Sequence, residues 1–240
     1  MSNSAKSHII SINSKDNITS NNSDAVYSFR QIDLQECIGV KLKDVAITNL
    51  IYNVENKVND VLDYDFNGTA KSITIPQGAY DASTLLTTIN GLQTDLVLGI
   101  NINTQKYTVT SASNSFLKAS STIKKVLGFV VDTTPSTSYE LPFPFDFIRT
   151  HYINILSNLS DSNACYSSSG QMHNLIAQIP VVLPFGYILS RQEENTSADH
   201  HIFLQNVNLT DIKIKICDDD FKELSLNGGD YVLSFVIYKR

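Results

Sequence analysis

A chain of 240 residues with 42% hydrophobic residues, 18% charged residues and a net charge of −6 has the composition of a globular protein, with room for one large β-domain or two small ones. Its Lys and Arg residues are dispersed, which excludes a specific nucleic-acid surface. No apolar run approaches the roughly 18 residues a membrane-spanning helix needs.

In chain order, residues 1–24 are rich in Ser, Asn and Asp, with one apolar patch at Ile9, Ile10 and Ile12, and read as a flexible N-terminal arm carrying at most one edge strand. The opening MSNSAKSHIISINSKDN lacks the basic flank and apolar core of a secretory signal, so synthesis in the cytoplasm or a similar reducing compartment is expected. From there on, AVYSFRQ and IGVKLKDVAITNLIYNV alternate apolar and polar residues and are loaded with Val and Ile, the pattern of half-buried strands. Lys41 and Lys43 alternate with Val40 and Leu42, which places both on the wet face of a strand. NVENKVNDVLDYDFNG reads as a polar excursion ending in an Asn67-Gly68 turn, and KSITI resumes the strand pattern.

A helix follows. Asp81 is a good N-cap, Tyr80 before it can staple the first turn, and Leu85, Leu86, Ile89 and Leu92 recur at helical spacing as a core face. At about three turns, and rich in threonine, this helix needs a surface to dock on. GININTQKYTVTSA reads as a hairpin, and SSTIKKVLGF as one or two helical turns with Ser121 as N-cap and Gly128 as the stop. Strand, helix, hairpin and short helix together predict an α+β insertion over about residues 70–130. TTPSTSYELPFPF is a proline-punctuated loop. HYINILSNL, LIAQIPVVLPFGYI, HIFLQNVNL, TDIKIKIC and DYVLSFVIYK are further strands, the second confined by its two prolines to an edge or to strand ends. The fold class expected is mainly β: an antiparallel single jelly-roll sandwich over residues 25–240, with an immunoglobulin-like sandwich as the alternative topology.

The residues that could carry chemistry do not form a recognisable constellation. Cys37, Cys165 and Cys217 lie far apart without metal-ligand spacing and read as buried or incidental thiols. Adjacent His200 and His201 point to opposite faces of a strand, so they cannot share a metal without a bend, and His8, His151 and His173 are scattered. Asp218-Asp219-Asp220 lacks the spacing and glycine of a calcium loop and reads as a solvated turn. No G-x-S-x-G and no phosphate-binding glycine loop is present, and Glu193-Glu194 is a loop pair beside Arg191. No catalytic, cofactor-binding or metal site is therefore expected. The six N-x-S/T sequons, at Asn17, Asn21, Asn67, Asn158, Asn195 and Asn208, follow from the abundance of Asn, Ser and Thr. The aromatic cluster Tyr139, Phe143, Phe145 and Phe147 either folds back over the core or forms a subunit contact.

The succession IPQGAYDASTLLTTINGL, ININTQKYTVTS and VLGF resembles a module of virion proteins of virophages, polinton-like elements and related double-stranded DNA viruses, in which a strand and a P-x-G-x-Y turn lead into a helix, a hairpin and a terminal LGF. Downstream, HYINILSNL is similar to their I-x-I-x-S-N-L strand and LIAQIPV to their I-L-A-x-I-P segment. IKIKICDDDFKELSLNGGDYVLSFVI is similar to their closing hairpin, although LNGGD departs from the form with an aromatic nearer the glycine. The order matches from Ile73 to Ile237. The resemblance implies a capsid protein with a jelly-roll core. Major capsid proteins of these viruses resemble two jelly rolls in tandem, so the length of this chain suits the penton, the five-fold vertex protein. It also implies a homopentamer located in the virion, contacting the neighbouring major capsid protein and a host receptor or vertex spike. A receptor- or glycan-binding fibre head, with Tyr166, His173 or His200 lining a pocket, is the alternative function, and a cupin-like enzyme the third.

Overall fold

The computed structural model describes residues 6–19, 21–29, 36–160, 165–166, 170–192, 202–207 and 210–239. In chain order the strands and helices are β1 (Lys6–Asn13), β2 (Asp24–Ser28), β3 (Cys37–Thr48), β4 (Val61–Phe66), β5 (Thr69–Thr74), α1 (Ala82–Leu92), β6 (Leu96–Asn101), β7 (Lys106–Leu117), α2 (Lys124–Leu127) and β8 (Ser136–Glu140). They continue with β9 (Tyr152–Ser157), β10 (Cys165–Tyr166), β11 (Met172–His173), β12 (Leu175–Pro180), β13 (Ile188–Gln192), β14 (Ile202–Val207), β15 (Asp211–Cys217) and β16 (Tyr231–Lys239). Two compact units result: Met1–Ile51 with Thr150–Arg240, and Tyr52–Arg149, which is inserted between β3 and β9.

In the first unit the pairing is nested and antiparallel throughout. β1 pairs with β16, β2 with β15, β3 with β13 and β14, and β9 with β12. This is one long hairpin. Rolling it brings β16 beside β3 and β15 beside β9, which produces two sheets of order β1-β16-β3-β13 and β12-β9-β15-β2, with β14 continuing along β3. The unit is therefore a single antiparallel jelly roll. Alternation supplies its core: Tyr231, Leu233, Phe235 and Ile237 of β16 point inward, with Val45 and Ile47 of β3, Ile153 and Ile155 of β9, and Ile212, Ile214 and Ile216 of β15. Across that core the hydroxyls of Tyr27 on β2 and Tyr231 on β16 share a buried hydrogen bond of 2.8 Å, tying one sheet to the other.

The one edge strand expected within the N-terminal arm of residues 1–24 is present and is built into the roll. Lys6–Asn13 is the first strand of the roll, paired along its whole length with β16, and Ile10 and Ile12 are buried in the core. Its outward residues are Ser7, Ile9, Ser11 and Asn13, three of the four polar, so its composition reads as a polar tail although its period is that of a half-buried edge strand. The chain then turns through Ser14, whose buried hydroxyl donates to the Asp230 carboxylate at 2.9 Å and accepts the Tyr231 N–H at 3.2 Å. Lys41 is a correction. It is covered while Lys43 is exposed, because β3 has β16 on one edge and β14 on the other at that point.

The second unit is wider than the 70–130 expected. Its polar opening contains β4, paired with β5 and with the end of β7, and β8 adds to β7 on the far side of the helices in sequence. β6 and β7 form the expected hairpin. Helix α1 carries a capping box in which Asp81 accepts the Thr84 N–H at 2.7 Å and the Thr84 hydroxyl accepts the Asp81 N–H at 2.9 Å. Leu85 and Ile89 are fully buried and Leu86 is half-buried against the core, but Leu92 is exposed. The helix ends at Leu92, and the buried Gln93 side chain takes over, holding the Leu96 N–H and C=O at 2.7 Å each. Ser121 does not cap α2. It is buried and bonds both backbone groups of Asp63, and α2 starts after Ile123 with no side-chain cap.

Two outcomes are expected from this architecture. Truncating the chain before Asp24 removes β1 and unfolds the roll, and Ile12→Ala alone costs about 2–5 kcal/mol. Limited proteolysis read by mass spectrometry therefore finds no stable core lacking Lys6–Asn13. Burial raises the pKa of Tyr27 and Tyr231 above 10.0, and burial with the nearby Asp95 carboxylate raises Tyr64 to about 12. The folded state thus holds phenolic protons that the unfolded chain releases above pH 10.0. Stability is complete below that pH and falls as pH rises beyond it. Urea unfolding midpoints are expected to be level at pH 7–9 and to drop steeply above about pH 10.

Candidate functional site

Asp218 and Asp219 are tied into turns. Asp219 accepts the N–H groups of His151 and Tyr152 at 2.7 and 2.8 Å and faces the His151 ring at 3.3 Å. Asp218 accepts the N–H groups of Asp220 and Lys222 at 2.9 Å each. Asp218 therefore closes the turn after β15 on its own backbone, and Asp219 ties that turn to the start of β9. His173 stacks on Phe221 with ring centroids 3.8 Å apart and planes 4° from parallel. His200, His201, Glu193 and Glu194 lie outside the described residues, and Tyr166 lies in β10. Cys37 and Cys217 are buried, and burial pushes the Cys217 thiol up to about 11, so it is protonated at neutral pH. Among the described residues no three His, Cys, Asp or Glu side chains are grouped to hold a metal ion, and no helix is long and apolar enough to cross a membrane.

The aromatic segment after β8 is held against the second unit itself. Phe145 packs between Tyr107 and Phe147, with centroids at 5.3 and 5.4 Å, and Tyr139, Phe145 and Phe147 lie half-buried on that unit's core. Phe143 is half exposed. The segment reaches this position over Gly128. That residue ends α2 in the left-handed region at φ 91°, and its carbonyl accepts the Phe143 N–H at 2.9 Å. A Cβ on Gly128 would stand 2.1 Å from the Phe143 carbonyl oxygen, so only glycine admits the crossing.

The feature that sequence reading missed is the connection between β12 and β13. Val182, Leu183, Phe185, Tyr187 and Ile188 are exposed by 74%, 41%, 43%, 59% and 60%, in a stretch with no charged residue from Asn174 to Ser190. The run reads as strand because it is apolar and rich in β-branched residues. The signal in the sequence is Pro184 with Gly186 after it: β12 ends at Pro180, still paired with Tyr152, and β13 begins only at Ile188, so the apolar residues around that turn fall between the two strands.

The loop is built, not loose. Asn49, buried at the end of β3, donates its N–H to the Tyr187 carbonyl at 2.8 Å and its side-chain amide to the Leu183 carbonyl at 2.8 Å. Its own carbonyl accepts the Gly186 N–H at 2.7 Å. Within the loop the Tyr187 N–H donates to the Pro184 carbonyl at 3.3 Å across a turn whose third residue, Gly186, has φ 88°, the position where a type II turn needs glycine. The arrangement fixes the backbone and presents aliphatic and aromatic side chains outward, which suits it to contact another apolar surface. Asn49→Ala removes the side-chain bond and leaves the Leu183 carbonyl without it. The expected cost is about 1–3 kcal/mol, measured by urea unfolding, with faster amide exchange confined first to the 183–187 backbone.

Neither a protein-family model nor a curated protein sequence matches the chain. Among solved structures, the crystal structure of the mavirus penton protein matches 97% of this chain and 99% of its own, at a TM-score of 0.50 and 12% sequence identity. At that identity the likeness is one of fold: this chain has a virophage penton-like fold.

Proposed function

We propose that the chain is a structural virion protein, a penton that occupies the five-fold vertices of an icosahedral capsid as a homopentamer and contacts the neighbouring major capsid protein. The observation that supports this most is the extent of the likeness. A single jelly roll carrying an inserted second unit matches a penton protein over nearly the full length of both chains, so the likeness extends well beyond a generic sandwich. A structural role, not a catalytic one, also suits the side chains. Asp218, Asp219, His173 and Cys217 are spent on turns, stacking and burial, while five exposed apolar side chains lie together on and beside a braced loop.

Native mass spectrometry of the purified full chain, with cryo-electron microscopy of particles assembled with the major capsid protein, tests the proposal. The expected results are a five-subunit mass and single-jelly-roll density at the five-fold positions. A chain that stays monomeric at every concentration and occupies no vertex overturns it.

A further inference from the structure

We propose that the apolar run Val181–Ile188, the β12–β13 loop with the first residue of β13, is the self-association contact of this protein, the surface through which one copy meets a second copy of the same chain. The inference rests on the vertex-protein reading above and assigns the surface which that reading leaves open. Of three observations, charge favours a second copy as the occupant, and area and rigidity fit the loop for a stable contact.

The first is charge. Each copy carries −6, so two copies repel at long range, and a contact between them is least opposed where no charge has to be buried. Asn174–Ser190 supplies such a stretch, and it offers no carboxylate to attract a basic partner and no Lys or Arg to attract an anionic one. The second is area. The five exposed side chains leave roughly 80–100 Å² each on the 150–250 Å² scale of large side chains. That totals about 450 Å², more than half of the ~800 Å² per partner of a standard interface. A polar rim of ordinary surface completes the remainder. The third is rigidity. Asn49 and the Pro184–Tyr187 turn hold the loop backbone already, so little conformational entropy is lost when Phe185 and Tyr187 are covered. Aromatic side chains on a fixed backbone are the composition in which binding energy concentrates.

The test uses the full chain and follows assembly by sedimentation velocity and native mass spectrometry over a concentration series. The variants are Val182→Asp with Tyr187→Asp, Tyr187→Ser alone, and Ile102→Asp as a control at an exposed apolar residue of the second unit. Circular dichroism and thermal unfolding verify that each is folded. Should the double variant fail to fold, Tyr187→Ser, which removes the ring without adding charge, carries the test. The expected result is an assembled wild type and an assembled Ile102→Asp, with association weakened at least about tenfold in the double variant and several-fold in Tyr187→Ser. Folded loop variants that assemble like the wild type overturn the inference and leave the vertex reading standing. A wild type that is monomeric throughout and absent from particle vertices overturns that reading and this inference with it. A monomeric wild type that floats with neutral phosphatidylcholine vesicles, and loses this in the double variant, assigns the loop to a lipid surface and likewise overturns self-association.

Discussion

The jelly roll depends on where its last strand goes. β16 lies between β1 and β3, so the end of the chain is hydrogen-bonded on both edges by strands from its beginning, and the outermost pair of the nested hairpin is closed. Its inward residues Tyr231, Leu233, Phe235 and Ile237 fill the centre of the core, and its first residue reaches across to Tyr27 in the other sheet. Such contacts have the largest sequence separation in the chain, and the entropy of closing that span must be met before they contribute. Every shorter pairing in the roll is compatible with them only in one register, because shifting β16 by one residue would turn its apolar face outward.

The short motifs that carry the family resemblance have a common physical basis: backbone crossing close to backbone. Gly128 of VLGF lets the aromatic segment pass against the end of α2. Gly229 of LNGG would place a Cβ 2.9 Å from the Leu226 carbonyl oxygen and 3.3 Å from that of Thr48. The same turn is pinned by Asn227, whose side-chain amide donates to the Leu50 carbonyl at 2.7 Å. In the P-x-G-x-Y turn, Tyr80 folds back so that its hydroxyl donates to the Pro76 carbonyl at 2.8 Å and its ring covers Gly78. These motifs are turns whose steric limits are tight, which is why they remain readable when most side chains around them could be exchanged for others of similar volume.

Exposed apolar surface is costly for a folded chain in water, and the jelly roll removes most of it by facing two sheets together. The β12–β13 loop keeps its apolar side chains outside, and Asn49 spends three hydrogen bonds and its own burial on holding the loop backbone in that state. A buried polar residue engaged in this way fixes one conformation more than it adds stability, since each bond replaces one to water. The second unit does the reverse with its aromatic segment, folding Phe145 and Phe147 back onto its own core.

Much of this was legible in the residues. Alternation identified β2, β3, β9, β14, β15 and β16 of the roll, Asp81 and the Leu85/Ile89 spacing identified α1, and Gly128 identified the end of α2, because each follows from local period or local sterics. The sequence by itself thus determined the fold class and the family resemblance. What only the tertiary structure decided is whatever depends on a distant partner. Lys6–Asn13 becomes a strand because β16 is there to receive it, and Lys41 is covered because β3 has neighbours on both edges. Leu92 is left exposed because Gln93 and Leu96 close the core in its place, and Val182–Ile188 faces water because Asn49 holds it there. Period shows which side of a segment is apolar; whether that side meets a core or the solvent is set by strands far away in the chain.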